Sequence, residues 1–492
     1  MSEKNKRCAV IVSLVVISVF LLTVNLIFDA GLLMTCVLIA WSSLVVYALS
    51  DIKRHFVFLC FLISFFVFLL GREICFTYFG LERYYNYLEP YNDITFFLML
   101  LSLLFLFAGY RFADRHRVER TGRWFSVKRD AGDAPAVLPA GPDPLRNRIR
   151  MASMIAFYFC CLCSMLDAFM QIRQVASVGY LASYMEVNSY SGGILGYFST
   201  FTVIALSIYL VTFPKKRISL LALISFEFYG VMTLMTGHRY TFIAVSMYVL
   251  AYIVYRHYTE SGWITKKMVL LMVAALPLLV VLMTVMDSLR SGTTGTGGGL
   301  MRTAINFMDQ QGGSINCIKR IFYYQDQLSD MSWTSFSNTR SVLLENGLMR
   351  NLFNIKVYDG NSVENALYGH YLSHRLSYLE YGQYYLLGHG VGSSYIAELF
   401  HDFGYIGVAL GSLIYGYLLR RITNIGTGRF YRDGLLFATQ YFMYLSPRGD
   451  FDGMISGLFS VLSVLGLVGI WVLSQVFRYG ESRKAKEITL DA

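Results

Sequence analysis

The chain has 492 residues, of which 55% are hydrophobic and 15% are charged, and its mean hydropathy is +0.48. Soluble globular proteins carry about a quarter charged residues, so this composition excludes a water-soluble fold. The net charge of +10 could suggest a nucleic-acid partner, but the loops between the apolar segments account for it.

Many apolar segments have the length that an α-helix needs to cross the hydrocarbon core, about 20 residues. They predict an all-α polytopic membrane protein with about 12 transmembrane helices. The predicted spans are 8–28, 31–50, 55–71, 94–112, 151–170, 193–213, 219–236, 240–257, 268–286, 395–419, 434–447 and 453–477. The first span follows MSEKNKR but is too long for the apolar region of a signal peptide, so we expect it to be uncleaved.

The basic residues predict the orientation of these spans. Loops on the side of the two termini hold 29 of the 42 Lys and Arg. Short cytoplasmic loops carry such an excess. We therefore expect both termini to be cytoplasmic in a multi-pass protein of the cell (inner) membrane, where the basic loops also contact membrane lipids.

Two polar segments divide the chain. Residues 111–150 are basic and then rich in Pro, Gly and Ala, which predicts a flexible cytoplasmic linker within the first region, 1–286. Residues 287–394 form one large outer loop between spans nine and ten, for which we expect short helices. Residues 395–492 contain spans ten to twelve and the cytoplasmic tail. A loop as long as 287–394 is usually functional.

Arginines next to the outer ends of spans are the first candidate site residues. The positive-inside rule disfavours them there, yet they occur at Arg173, Arg239, Arg290 and Arg448. They could anchor the helix ends at the lipid surface. The functional interpretation is that they bind phosphate, because a guanidinium group contacts it in a bidentate manner and keeps its charge.

Residues 370–402 form a second cluster of candidates. His370 and His374 have i,i+4 spacing, and Arg375 follows; a metal site is not expected, because no third and fourth ligand is evident. Glu398 begins span ten, where an acidic residue could act as a general base or could pair with an arginine. A third cluster, SPRGDFDG, combines Arg448 with Asp450 and Asp452, or is simply a polar turn.

These features together resemble the O-antigen polymerase (Wzy) family. The resemblance covers residues 219–470 and rests on the order of its parts. TGHR precedes span eight and SLR follows span nine; then come the long loop, LGHGVGSSYIAELFHDFGYIG and the late SPRGDF.

The resemblance implies a metal-independent membrane glycosyltransferase of the GT-C type without a cofactor. Such an enzyme transfers a glycan from polyprenyl pyrophosphate to a second lipid-linked repeat unit at the outer leaflet. It also implies a chain-length regulator protein as a partner and no nucleic acid. The residues that it implies for pyrophosphate binding are Arg239, Arg290 and Arg448, with Arg375 and Arg173 as further candidates. The candidate general bases are Glu398, His374 and His389.

Other membrane proteins of polysaccharide synthesis remain as alternatives. A flippase or polysaccharide transporter fits twelve spans but leaves the long outer loop unexplained. An O-antigen ligase uses the same lipid donor and a different acceptor. A glycosyltransferase that uses lipid-phosphate sugars usually has acidic residues in the first outer loop, which is very short here.

Overall fold

The protein is helical throughout the residues that the computed structural model describes. These are residues 3–28, 31–120, 143–178, 194–236, 239–260, 262–270, 300–358 and 360–490, and no strand occurs among them. Outside residues 300–394, the helices are α1 (Glu3–Ile27), α2 (Leu32–Ser50), α3 (Ile52–Phe65), α4 (Gly71–Phe79), α5 (Asn92–Arg120), α6 (Pro144–Val178), α7 (Ile194–Thr200), α8 (Thr202–Leu210), α9 (Lys216–Met235) and α10 (Arg239–Thr259). After residue 394 the chain forms α19 (Tyr395–Ile422), α20 (Phe430–Met443), α21 (Gly453–Phe459) and α22 (Val461–Leu490).

Seven helical segments in the described part of the chain are long and apolar enough to cross a membrane. They are Leu32–Ser50, Ile52–Phe79, Asn86–Asp114, Pro144–Ser177, Lys216–Met235, Tyr395–Ile422 and Gly453–Gly480. The protein is therefore a polytopic membrane protein, whereas the full set of twelve spans stays a prediction. The predicted span 434–447 corresponds to α20, whose 14 residues extend about 21 Å, less than the hydrocarbon thickness of about 30 Å.

The segment Ile52–Phe79 is not one regular α-helix. A π-helical turn, Phe66–Leu70, joins α3 to α4. Such turns shift the direction of the side chains that follow, and they are frequent at functional sites. The first charged side chain after this turn is that of Arg72.

Helices α5 and α19 pack against each other more closely than ordinary side chains allow. A Cβ atom on Gly416 would lie 1.8 Å from the carbonyl oxygen of Leu106, and one on Gly109 would lie 1.9 Å from that of Leu413. Small residues permit such backbone contact between membrane helices. Ser102 adds hydrogen bonds of 2.6 Å to Tyr395 Oη and 2.8 Å to Ser412 Oγ. The packing of α5 against α19 fixes the start of α19, where the second cluster of candidates, residues 370–402, ends.

Residues 300–394 form short helices, as expected from the sequence for the segment 287–394, of which residues 287–299 lie outside the described residues. The helices are α11 (Leu300–Gln311), α12 (Ile315–Tyr323), α13 (Gln325–Leu328), α14 (Ser337–Leu344), α15 (Gly347–Phe353), α16 (Val363–Tyr368), α17 (Leu372–Tyr381) and α18 (Gln383–Leu386), with 3-10 turns at Gly312–Ser314 and Thr334–Phe336. Residues 300–394 cover one end of the helix bundle, which we call the loop end.

Two carboxylates, that of Asp402 in α19 and that of Asp452 directly before α21, hold this segment in place. Asp402 accepts hydrogen bonds from the backbone N–H groups of Thr334 (3.1 Å) and Ser335 (2.7 Å). Asp452 accepts from the N–H groups of Asn338 (3.2 Å) and Thr339 (2.6 Å). The N–H groups of Asn338 and Thr339 belong to the first turn of α14. N–H groups in a first turn have no partner within the helix, and this end of a helix favours a negative charge.

Candidate active site

Three arginines from distant parts of the chain converge on three consecutive residues at the loop end. Arg72 Nε donates to Asp309 Oδ1 at 2.8 Å and to the Asp309 carbonyl oxygen at 3.1 Å. Arg239 Nη1 donates to Gln310 Oε1 at 3.0 Å. Arg448 Nη1 donates to Gln311 Oε1 at 3.1 Å. We call Arg72, Arg239 and Arg448 the arginine cluster; its net charge with Asp309 is positive.

The local sequence explains why the cluster forms around residues 309–311. These residues end α11, and the carbonyl end of a helix attracts cations. The Gly312–Ser314 turn then lies directly against the backbone of Arg72. A Cβ atom on Gly312 would lie 2.2 Å from the backbone nitrogen of Arg72. Glycine at this position is therefore required for the close approach of α4 and α11.

Arg239 is the first residue of α10 and is only 7% exposed. Arg448 ends the 3-10 turn Ser446–Arg448, and its guanidinium lies 5.8 Å from the ring of Phe68, in the π-helical turn. Both positions are helix boundaries, where a long side chain can reach past the apolar core. The structure thus brings together two of the arginines that the sequence selected.

Glu398 lies close to this cluster and is fully buried. Its Oε1 accepts a hydrogen bond from Ser393 Oγ at 2.7 Å, and its Oε2 accepts one from the Phe451 N–H group at 2.8 Å. The carboxylate therefore joins the start of α19 to the turn that carries Arg448. Both Glu398 and Arg448 lie within electrostatic range of the buried thiol of Cys317, as does Arg72.

His374 lies in α17, on the same segment of short helices. Its Nδ1 is 2.8 Å from the Tyr385 hydroxyl. Burial, and then the neighbouring His370, lower the pKa of His374, so the imidazole is neutral at neutral pH. One turn further on, Ser377 Oγ accepts from the Val391 N–H group, and the Val391 carbonyl accepts from the Cys317 thiol. This chain of contacts links α17 to the surroundings of the arginine cluster.

The other predicted site residues lie elsewhere or outside the described residues. Arg375 forms an ion pair with Asp330, and Arg173 is exposed near the end of α6. His389 packs against the rings of Tyr381 and Tyr384. Arg290 lies outside the described residues. Within the described ranges, no group of three or more metal-ligating side chains occurs.

Comparison with known proteins decides the family. The family model described as O-antigen polysaccharide polymerase Wzy matches residues 8–479, nearly the whole chain. The chain belongs to the Wzy family of O-antigen polymerases. No curated protein and no solved structure matches the chain significantly.

Membership of the Wzy family confirms the resemblance found in the sequence and extends it to the N-terminal helices. This extension matters for the site, because Arg72 lies outside residues 219–470, on which the resemblance was based. It also identifies the chain as a membrane protein of polysaccharide biosynthesis. Wzy proteins polymerise O-antigen repeat units, and the chain is therefore assigned to the polymerases rather than to the flippases.

Sequence reasoning missed Arg72, Asp309, Gln310 and Gln311. Arg72 carries one usable signal, because it follows the predicted span 55–71 as directly as Arg239 precedes the span 240–257. Asp309, Gln310 and Gln311 carry no such signal, since short polar runs are common in long loops.

Proposed function

We propose that the protein transfers a glycan from polyprenyl pyrophosphate to a lipid-linked repeat unit, at the outer leaflet of the cell membrane. The observation that carries this proposal is the arginine cluster, in which Arg72, Arg239 and Arg448 meet at residues 309–311. The charge distribution of the loops supports an outward-facing loop end and cytoplasmic termini. Membrane lipids and a chain-length regulator protein are the further partners that we propose.

The chemistry of the transfer requires a site for a leaving pyrophosphate. A hydroxyl oxygen of the acceptor sugar forms the new bond to C1 of the donor glycan, and the bond from C1 to the pyrophosphate oxygen breaks. The hydroxyl proton passes to a base, and the electron pair leaves with the pyrophosphate. Guanidinium groups that are already oriented stabilise this developing charge, so the step does not require a metal ion.

The contacts in the described structure suit an exchange of partners. Two of the three arginines are bound to neutral amide oxygens of Gln310 and Gln311. A hydrogen bond between arginine and a phosphate oxygen is charge-assisted and roughly twice as strong as one with a neutral acceptor. The pyrophosphate can therefore replace the two amides, while the ion pair between Asp309 and Arg72 holds the end of α11.

For the base we propose His374. If Nδ1–H donates to the Tyr385 hydroxyl, Nε2 carries the free electron pair. The neutral imidazole can then accept the proton of a sugar hydroxyl. Glu398 is a weaker candidate, because it is fully buried and both of its oxygens accept internal hydrogen bonds. We propose that Glu398 positions the turn of Arg448, and that Arg290, Arg375, Arg173 and His389 are secondary candidates for the site.

The test uses a host strain that lacks the gene and carries a plasmid copy of each variant. Arg239→Ala and Arg448→Ala should each reduce the surface polysaccharide from a ladder to single repeat units, at normal protein abundance. The matched control is Arg350→Ala, because Arg350 is exposed on α15; it should keep the ladder.

Other results would point to other functions. Loss of every surface repeat, with lipid-linked units retained inside, would indicate a flippase. Full-length chains that stay on the lipid carrier would indicate a ligase. A normal ladder in both cluster variants would contradict the proposed role of the arginine cluster.

A further inference from the structure

A polar cavity lies next to the arginine cluster, on the other side of α4. It has a volume of about 340 Å³, and its wall includes Glu73, Phe76, Arg83, Asn92 and Phe96. Ligand sites combine apolar walls with a few polar groups that fix orientation, and this cavity has both.

Consecutive residues of α4 connect the cavity to the cluster. Arg72 is directed toward Asp309, whereas Glu73 forms a buried ion pair with Lys319 of α12. Side chains one residue apart in a helix point about 100° away from each other. The two sites therefore lie side by side, with α4 as their common wall. Lys319 lies within electrostatic range of Arg72, Glu73 and Arg83.

The charges of the two sites differ in a way that suits the two parts of one ligand. The arginine cluster has three guanidinium groups and one carboxylate. The cavity and the depression that continues it carry the carboxylates of Glu73, Glu89 and Asp93 against the cations Arg83 and Lys319. An anionic group is favoured in the cluster and disfavoured in the cavity. A neutral group with many hydroxyls fits the cavity, because carboxylates accept and Arg83 donates hydrogen bonds.

Asn92 supplies an independent observation. Its Oδ1 atom is buried, and within the described part of the chain it has no hydrogen-bond partner. A buried polar atom without a partner weakens the folded protein, and such atoms are rare enough to require an explanation. Asn92 lines the cavity, and a rotation of its side-chain amide would present Oδ1 to the cavity, where a ligand hydroxyl would provide the missing donor.

Aromatic side chains complete the fit. Phe76 and Phe96 are on the cavity wall, and the guanidinium of Arg83 lies 5.7 Å from the ring of Phe76. A pyranose ring has apolar C–H faces that pack on such rings and hydroxyls at its edge that reach the polar groups. We infer that this cavity binds a neutral sugar of the lipid-linked glycan whose pyrophosphate occupies the arginine cluster. This inference rests on the proposed function.

The test measures binding and turnover separately. Lipid-linked repeat units that accumulate in the gene-deletion strain are extracted and added to the purified full-length protein in detergent. Asn92→Ala should weaken their binding about tenfold, which corresponds to about 1.4 kcal/mol, and raise KM by a similar factor while kcat changes less than twofold. The melting temperature should stay equal or rise, because the unpaired amide does not stabilise the fold. Asn351→Ala, at an exposed position of α15, is the matched control and should leave binding unchanged.

The outcomes separate the inference from the proposed function. If wild type binds the units without elongating them, the proposed polymerase step is wrong, while weaker binding by Asn92→Ala still supports the sugar site. Equal binding by wild type and Asn92→Ala would overturn the inference alone. If phosphatidylglycerol vesicles compete with the units in wild type and not in Asn92→Ala, the cavity binds a lipid headgroup and the inference is wrong. Absence of binding by wild type would overturn both.

Discussion

Gln311 accepts a hydrogen bond of 3.1 Å from Arg448, a residue 137 positions later in the chain. The preceding residue, Gln310, accepts one of 3.0 Å from Arg239. Arg239, at the start of α10, and Arg448, at the end of a 3-10 turn, are thus held by neighbouring side chains at the end of α11. Because both acceptors are neutral, these two hydrogen bonds orient the guanidinium groups and add no negative charge.

This arrangement predicts effects of different size for two substitutions at one position. Gln311→Glu places a carboxylate on Arg448, and this charge-assisted contact competes with the pyrophosphate. We expect KM for lipid-linked repeat units to rise about tenfold, equivalent to about 1.4 kcal/mol. Gln311→Ala should change KM less than threefold. Steady-state kinetics with the purified protein measure both values, and equal KM values for the two variants would show that Gln311 is not replaced by the substrate.

Two substitutions of Glu398 distinguish a positioning role from a role as the general base. Glu398→Gln keeps an oxygen that can accept from the Phe451 N–H group, so the turn of Arg448 stays in place. We expect this variant to retain kcat within about tenfold, whereas Glu398→Ala leaves the N–H group buried and unpaired, at a cost of about 1–3 kcal/mol. Single-turnover rates and melting temperatures measure the two effects. A loss of about 1000-fold in Glu398→Gln, with an unchanged melting temperature, would instead identify Glu398 as the base.

The pH dependence of the reaction should report His374. Its pKa in the folded protein is lowered by burial and by His370, below the value of about 6.5 for free histidine. The base is active when neutral, so kcat/KM should fall with decreasing pH, and the midpoint of this fall should lie below pH 6.5. His374→Gln should remove this acidic limb together with most of the activity, while Tyr385→Phe should shift its midpoint. An unchanged profile in His374→Gln would exclude His374 as the base.

The contact between α5 and α19 gives a prediction about stability. Gly416→Ala places a methyl group 1.8 Å from the Leu106 carbonyl oxygen, so the two backbones must separate. Overpacking of this kind costs about 1–3 kcal/mol, and thermal unfolding in detergent should occur at a lower temperature. The control is Gly469→Ala, because no atom lies within 4 Å of that Cβ position; it should leave the unfolding temperature unchanged or raise it slightly. Equal unfolding temperatures for the two variants would contradict the backbone contact.

The sequence predicted the helices and the family better than the site. Membrane helices are recognisable because apolar length is a local property. The grouping of Arg239 with Arg448 was also predictable, since both charges lie at the ends of spans. Contacts of Gln310 and Gln311 depend on how α11 rests on the bundle, which no local pattern encodes. Glu398 and Asp452 show the converse. Glu398 was selected as an acid in an apolar helix and Asp452 as part of the SPRGDFDG cluster. In the structure Glu398 accepts from the N–H group of Phe451, and Asp452 accepts from N–H groups in the first turn of α14.

The carboxylates that anchor residues 300–394 are synthesised after the residues that they anchor. Residues 300–394 leave the ribosome before Glu398, Asp402 and Asp452, the carboxylates that bind or brace them. At about 5–20 residues per second, Asp452 follows residue 394 by roughly 3–12 s. During that interval α14 lacks the group that caps its first turn. A chain that stops after residue 430 should therefore expose Ser337–Leu344 to protease in membrane vesicles, and the complete chain should protect this helix.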